Sequence, residues 1–268
     1  MTQDIDAWIM EILASRKYRE MGLCADTVRD LLERELPLHR SQRDALKAAR
    51  QKLHNIVAPY LGDPDYPAAA KAFADLAGQG DDLRPLCRQM LEAHASTRER
   101  LPLLDGFYPR LFEITGQPSS VLDLACGLNP FALPWMGLAQ SVRYLAYDLH
   151  SARAACIGAY FKAAGLSRAE AVAGDVLLMP LEQADVGLFF KEAHRFEQRQ
   201  RGVCAGFFKM IPVRWLLVSL PTASLTGRHD LRPRHRDLVY SALDGTAWPV
   251  VEVEFESELV FCIHKEAA

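Results

Sequence analysis

The chain has 268 residues, half of them apolar, a formal net charge of −3 and six cysteines. That is enough apolar material for one large core or two modest ones, and it argues against disorder. No run of about 18 apolar residues occurs, so no membrane span is expected. The cysteines (24, 87, 126, 156, 204, 262) are scattered with no C-x-x-C, so neither a metal site nor a disulfide scaffold is expected.

The amino terminus places acids where a signal peptide needs bases, and with the scattered cysteines this points to a reducing cytoplasm. The first hundred residues read as helices. Ile5, Trp8, Ile9, Ile12 and Leu13 recur at helical spacing. A second helix starts at Asp26-Thr27-Val28 and stops before Pro37. A third is capped by Ser41 and carries Ala45, Leu46, Ala49, Leu53, Ile56 and Val57 on one side. GDPDYP (62–67) is a turn cluster, and GQGDDLRP (78–85) is the best linker candidate. One continuous helix is expected from about Leu86 to Leu104, then another over Tyr108–Ile114.

After Gly116 short apolar strands alternate with helices, the pattern of a parallel α/β sheet. The most informative strand is VLDLACGLNP (Val121–Pro130). It carries one acid, Asp123, and ends in the small-residue turn Ala125-Cys126-Gly127, where backbone can approach a ligand closely. The turn lacks G-x-G-x-x-G, which argues against a bound pyrophosphate and suits a phosphate-free cofactor such as S-adenosylmethionine. Two further strands, over 142–147 and 171–174, end in Asp148 and Asp175. Acids about 25 residues apart at successive strand ends fit a strand–helix–strand repeat. Asp148 is placed to accept from ribose hydroxyls, and Asp175 stands near an adenine edge. Helix capping is the competing use of both acids. Later strands are expected at 186–190, 215–220, 250–255 and 259–263, the last two as an antiparallel edge pair.

The charge is unevenly spread. Residues 16–52 hold ten Lys/Arg against six acids, and residues 191–236 hold ten against three, densest in RHDLRPRHR (228–236). Such clusters can neutralise phosphates.

Several stretches carry a resemblance: LASRKYREMGLCADTVRDLL (13–32), AARQKLHNIVAPYLG (48–62), HASTRER (94–100), VLDLACGLNP, YDLH (147–150), GDVL (174–177), LFFK (188–191) and SLPTASLTGR (219–228). With these, the chain resembles the aminoglycoside-resistance 16S ribosomal RNA methyltransferases that modify a guanine N7 in the decoding site. The resemblance implies a Rossmann-like S-adenosylmethionine-dependent methyltransferase domain (86–268) behind an all-helical N-terminal domain (1–85) that docks on the 30S subunit. No metal or membrane attachment is expected, and nothing in the sequence suggests more than a monomer.

The resemblance further implies site residues. The cofactor, released as S-adenosylhomocysteine, would be held by His94, Ser96, Thr97, Arg100, Asp123, Ala125, Gly127, Asp148, Leu149, Asp175, Val176 and Phe190. Arg100, or secondarily Arg98, would clamp its carboxylate with a planar fork. Guanine N7 carries its own lone pair, so no obligatory proton-transfer residue is expected. Lys191, Ser219 and Arg228 would position the base. Arg16, Lys17, Arg50, Lys52, His54, Arg195, Arg228, Arg232, Arg234 and Arg236 would meet RNA.

Two segments depart from the family pattern. Where the family reads K-x-L-P-x-L-E this chain has KEAHRFE (191–197), keeping Glu197 but losing the LP pair. Where the family runs Gly-x-Gly-Met-Glu and then Asn-Tyr, this chain has GRHDLRPRHRDLVY (227–240). The rewritten loop motivates one alternative, a divergent RNA methyltransferase with another or poorly modified target; a second, a 30S-binding protein without transfer activity, is opposed by the intact Asp123, Gly127, Asp148 and Asp175.

Overall fold

The computed structural model describes residues 2–16, 18–19, 22–57, 64–80, 82–224 and 229–265. A seven-stranded sheet in the order β3-β2-β1-β4-β5-β7-β6 organises the chain after residue 116. Its strands are β1 (Ser120–Leu124), β2 (Arg143–Asp148), β3 (Ala169–Ala173), β4 (Ala184–Phe190), β5 (Val213–Pro221), β6 (Val250–Glu254) and β7 (Glu258–His264). β1 to β5 pair in parallel; β1, β2, β4 and β5 are largely buried because both faces are covered, while the edge strand β3 is only partly buried. β7 runs antiparallel between β5 and β6. The antiparallel pairing of the last two strands is as expected, but only β6 is an edge. β7 is paired on both sides and buried from Leu259 to Ile263.

β1 lies between β2 and β4, so the chain winds outward to β3 and then crosses back. The carboxyl ends of β1 and β4 flank that reversal, where open α/β sheets hold their ligands.

Three helices precede the sheet domain: α1 (Thr2–Ala14), α2 (Ala25–Glu35) and α3 (Gln42–Val57). Their apolar stripes share a core of Ile9, Ile12, Val28, Leu31, Leu32 and Leu53. Ser41 caps α3 as expected, its hydroxyl accepting from the Asp44 amide at 3.2 Å. A fourth helix, α4 (Tyr66–Leu76), starts inside the expected turn cluster. There the Asp65 carboxylate accepts from the Ala68 amide at 3.0 Å and Pro67 fits the first turn. α4 packs on α8 (Ser151–Ala163), with Phe73 against Phe131 and Tyr160. The two cores therefore part between Val57 and Tyr66, ahead of residue 85. Residues 78–80 of the expected linker form a turn inside one core, because Cys87, Met90 and Leu91 beyond it belong to the same cluster as Phe73.

The helix expected over 86–104 is broken. α5 (Arg84–Ala93) ends at His94, which is extended (φ −118°, ψ 133°), and the single turn α6 (Ala95–Arg98) follows. The Thr97 hydroxyl donates to the carbonyls of Leu91 (2.7 Å) and His94 (3.1 Å), fastening the two pieces. α7 (Leu104–Thr115) then leads into β1. On the far face, α9 (Ala193–Arg199), α10 (Val203–Met210) and α11 (Arg232–Ala242) cover a core built around Phe189, Phe207 and Phe208.

All six cysteines are free; Cys24 is partly exposed and the other five are buried. No described helix is long and apolar enough to cross a membrane.

Candidate functional site

The turns after β1 and β4 are built from backbone that side chains normally avoid. Ala125 (φ 50°) and Lys191 (φ 59°) are the non-glycine residues in the left-handed region among those described. Such conformations cost about 1–3 kcal/mol each and persist where the surroundings enforce them. Here the Lys191 amide is fixed to the Ser219 carbonyl at 2.8 Å, and the Cys126 amide to the Tyr147 carbonyl at 2.8 Å. Gly127 also has positive φ (54°), and a β-carbon there would meet nothing within 4 Å, so open space lies against this backbone.

Below the turn sits a buried polar network. Asp123 accepts from the Tyr144 hydroxyl (2.6 Å) and the Asn129 amide (2.9 Å) through one oxygen. Burial pushes its carboxyl up to about 7, against the pull of those two hydrogen bonds. Asn129 in turn accepts from Arg100 and from Tyr108, both at 2.6 Å. Arg100 grips Glu258, the first residue of β7, through two parallel bonds of 3.1 and 2.5 Å. Burial alone would raise Glu258, but the charges of Arg100 and Lys191 hold its carboxyl below the ordinary glutamate range.

Beside the β1 turn opens a cavity with apolar walls at Ile56, Leu149, Val176 and Phe196, and acidic ones at Asp148, Asp175 and Glu192. Its acids differ in how they are used. Asp148 accepts from the Gly127 amide (2.9 Å), the His150 amide (2.8 Å) and Arg153 (3.1 and 2.9 Å). Asp175 accepts from Arg199 (2.6 Å), the Thr27 hydroxyl (2.9 Å) and the Leu177 amide (3.1 Å). Arg199 also reaches Asp30 at 3.0 Å, so α2 is fastened to the tip of β3 across this cavity. Glu192 takes one bond, from Arg195 at 2.7 Å. Apolar walls with acids suit a flat heterocycle and a cationic or hydroxylated group; a pyrophosphate would meet like charge.

A second cavity, about 460 Å³, adjoins the first. It is walled by the broken helix (His94, Ser96, Glu99), the β4 tip (Lys191, His194) and the β5 tip (Pro221, Ser224). Arg195 lines both cavities and stands between them. Lys191 donates to Glu99 at 2.7 Å. His194 is held down to about 4 by burial and by the neighbouring charges of Arg195, His235 and Arg234, so it is neutral at physiological pH.

The structure gathers Ala125, Asp148, Leu149, Asp175 and Val176 around the first cavity. It puts His94 and Ser96 in the second, apart from those residues. The Thr97 hydroxyl is spent inside the helix break. Arg100 does not present an open fork: Glu258, Asn129 and Tyr108 take four of its five N–H groups. Phe190 stacks beneath the Arg100 guanidinium, 4.8 Å from ring centroid to carbon, and is buried. Ser219 is fully buried beside Glu258 and cannot reach a base. Arg228 and Lys17 lie outside the described residues. Glu192 and Glu258 were not singled out from sequence. Glu192 directly follows the β4 tip, the one local signal that could have flagged it.

The basic clusters are more neutral than their sequence counts. Arg232 pairs with Asp230 (3.0 Å) and Glu254 (2.8 Å), and Arg236 with Glu252 (2.8 Å). Those glutamates lie on β6, which sequence counting could not place opposite α11. Arg234 is exposed and has no ion pair among the described residues. In the helical region Arg50 pairs with Glu11 (2.6 Å) and Lys52 with Glu35 (2.7 Å), while Arg16 is exposed. A groove of about 850 Å³ there is lined by Trp8, Tyr18, Arg43, Lys47, Arg50 and His54.

Comparison with known proteins bears on this arrangement. The family model described as ribosomal RNA methyltransferase (FmrO) matches residues 14–262. A 16S rRNA (guanine(1405)-N(7))-methyltransferase of Micromonospora rosea is 32% identical over 268 residues, covering 97% of each chain. One from Serratia marcescens is 35% identical over 225 residues, 84% of each. The crystal structure of the 16S rRNA methyltransferase RmtF with S-adenosyl-L-homocysteine superposes with a TM-score of 0.79 at 28% identity, covering 99% of both chains.

Proposed function

Because this chain belongs to the ribosomal RNA methyltransferase (FmrO) family, we propose that it methylates N7 of guanine 1405 of 16S rRNA in the 30S subunit, using S-adenosylmethionine, and so confers aminoglycoside resistance. Its relatives carry that reaction in their names. The observation that supports it best is the pair of adjoining cavities at the β1 and β4 tips, divided by Arg195.

The cofactor would be held at the first cavity. Asp148, Leu149, Val176 and Glu192 line it, and open space lies against Gly127 where bulk would block a ligand. When bound there, the cofactor supplies an electrophilic methyl group. The second cavity fits the acceptor base, with Lys191 and neutral His194 on its walls. Guanine N7 needs no base to attack, so these residues orient and exclude water. Alignment of that kind is worth roughly 7–11 kcal/mol. Extruding the base costs a few kcal/mol, which phosphate contacts must offset. Arg234 and the Arg43–Lys47–Arg50 groove are the cations placed to supply them.

The helical unit that docks on the subunit comprises α1 to α3 in this proposal, since α4 packs with the sheet domain. The test is transfer of labelled methyl to purified 30S subunits, with free 16S rRNA as comparison and the site mapped by cleavage at N7-methylguanine. Label at guanine 1405 in 30S supports the reading. Cofactor binding without transfer to either substrate points to another RNA, which the rewritten 227–240 loop favours as the second reading.

A further inference from the structure

Three carboxylates line the cofactor cavity, and they are not equivalent. Both oxygens of Asp148 are taken by the Gly127 and His150 amides and by Arg153. Both oxygens of Asp175 are taken by Arg199, Thr27 and Leu177. Glu192 uses Oε1 for Arg195, and its Oε2 has no protein partner among the described residues. The side chain is nonetheless largely enclosed, 11% exposed. Glu192 lines the cavity, so a ligand there can supply the donor that this oxygen lacks.

The charges around Glu192 come from three elements. Arg195 on its own helix and Arg153 on α8 are cations; Asp148 on β2 is an anion already neutralised by Arg153. Glu192 is thus the acceptor in this cavity with capacity left for a cation. Its place directly after Lys191, at the strand tip that borders the acceptor cavity, puts it on the side where the methyl group must leave.

Resting on the reading that this cavity holds S-adenosylmethionine, we propose that Glu192 recognises the positive charge of the cofactor's methionine half through its free Oε2. Two groups there are cationic, the α-ammonium and the sulfonium. Transfer removes only the second, so a carboxylate answering the sulfonium would hold the substrate form more tightly than the product and help exchange them.

The experiment is calorimetric binding of S-adenosylmethionine, S-adenosylhomocysteine and 5′-methylthioadenosine to the full-length wild type and Glu192→Gln. Methylthioadenosine has the adenosine half and neither cation, so it also reports whether the variant's cavity is intact. The expected result is a loss of about tenfold for S-adenosylmethionine, the size of one charge-assisted contact, with methylthioadenosine unchanged. An equal loss for S-adenosylhomocysteine assigns the contact to the ammonium; a smaller one assigns it to the sulfonium. Equal weakening of all three compounds, or no weakening, overturns the proposal. If the wild type binds none of them, it is the reading of the cavity that falls.

Discussion

Arg100 and Glu258 are 158 residues apart in sequence and joined by two parallel hydrogen bonds in a site from which water is excluded. The pair fastens the broken helix before α7 to the first residue of β7, beneath the strand tips that carry the candidate site. Removing one member of a buried pair typically costs about 3–5 kcal/mol, because the other charge stays buried. Glu258→Ala is expected to lose stability of that order in urea unfolding. Arg100→Met combined with Glu258→Leu should recover much of it, and a strictly additive double variant would refute a dominant pairwise interaction.

Asp123 gives a pH dependence with a definite sign. Burial holds its carboxyl at about 7 in the folded chain, against an ordinary value near 4 when unfolded. The stability it contributes is fully present below about 4 and is lost as pH rises through about 7, since the unfolded chain gives up the proton first. Glu192, also raised to about 7 by burial, slopes the same way. Asp123→Asn should therefore flatten the stability profile between pH 4 and 7, measured by denaturant midpoints. An unchanged slope would mean that Asp123 ionises normally.

Loss of Asp148 is expected to do more than remove the proposed ribose contact. Its carboxylate is the counter-charge of Arg153, which is fully buried and also donates to the Tyr66 hydroxyl at 2.7 Å. Asp148→Ala should lower the unfolding temperature as well as cofactor affinity, with a penalty of about 3–5 kcal/mol. Thermal unfolding without cofactor separates the two effects. A variant as stable as wild type would place Arg153 elsewhere than in this pair.

Subunit binding should follow unpaired charge and not local density. Lys47→Ala and Arg234→Ala are expected to weaken 30S binding and to lower its salt slope by about one each. Arg236→Ala, whose guanidinium is already on Glu252, should have a smaller effect. Salt titrations of 30S affinity check the order, and the reverse ranking would put the α11 face on the RNA.

Much of this molecule was legible from local patterns. The strand ends at Asp123, Asp148 and Asp175 and the three leading helices follow from periodicity, because each is decided within a few residues. What escaped is decided over distance. The sequence marks His94 as mid-helix, and only the Thr97 bonds to two carbonyls explain the break. Arg100 reads as an open clamp until Glu258 closes on it. Arg232 and Arg236 read as a basic patch until β6 brings two glutamates alongside. α4 was lost because Asp65 and Pro67 serve a turn and a helix start equally well.

The cysteines have a practical consequence for watching this protein at work. Burial pushes the thiols of Cys87, Cys156 and Cys262 up to about 12, and raises Cys126 and Cys204 as well. Only Cys24 is within reach of solvent, directly ahead of the helix that Arg199 ties to Asp175 beside the first cavity. A thiol-reactive fluorophore should therefore mark the wild-type chain at one position without mutagenesis. Its emission would then report, in real time, how α2 responds when ligand or ribosome arrives.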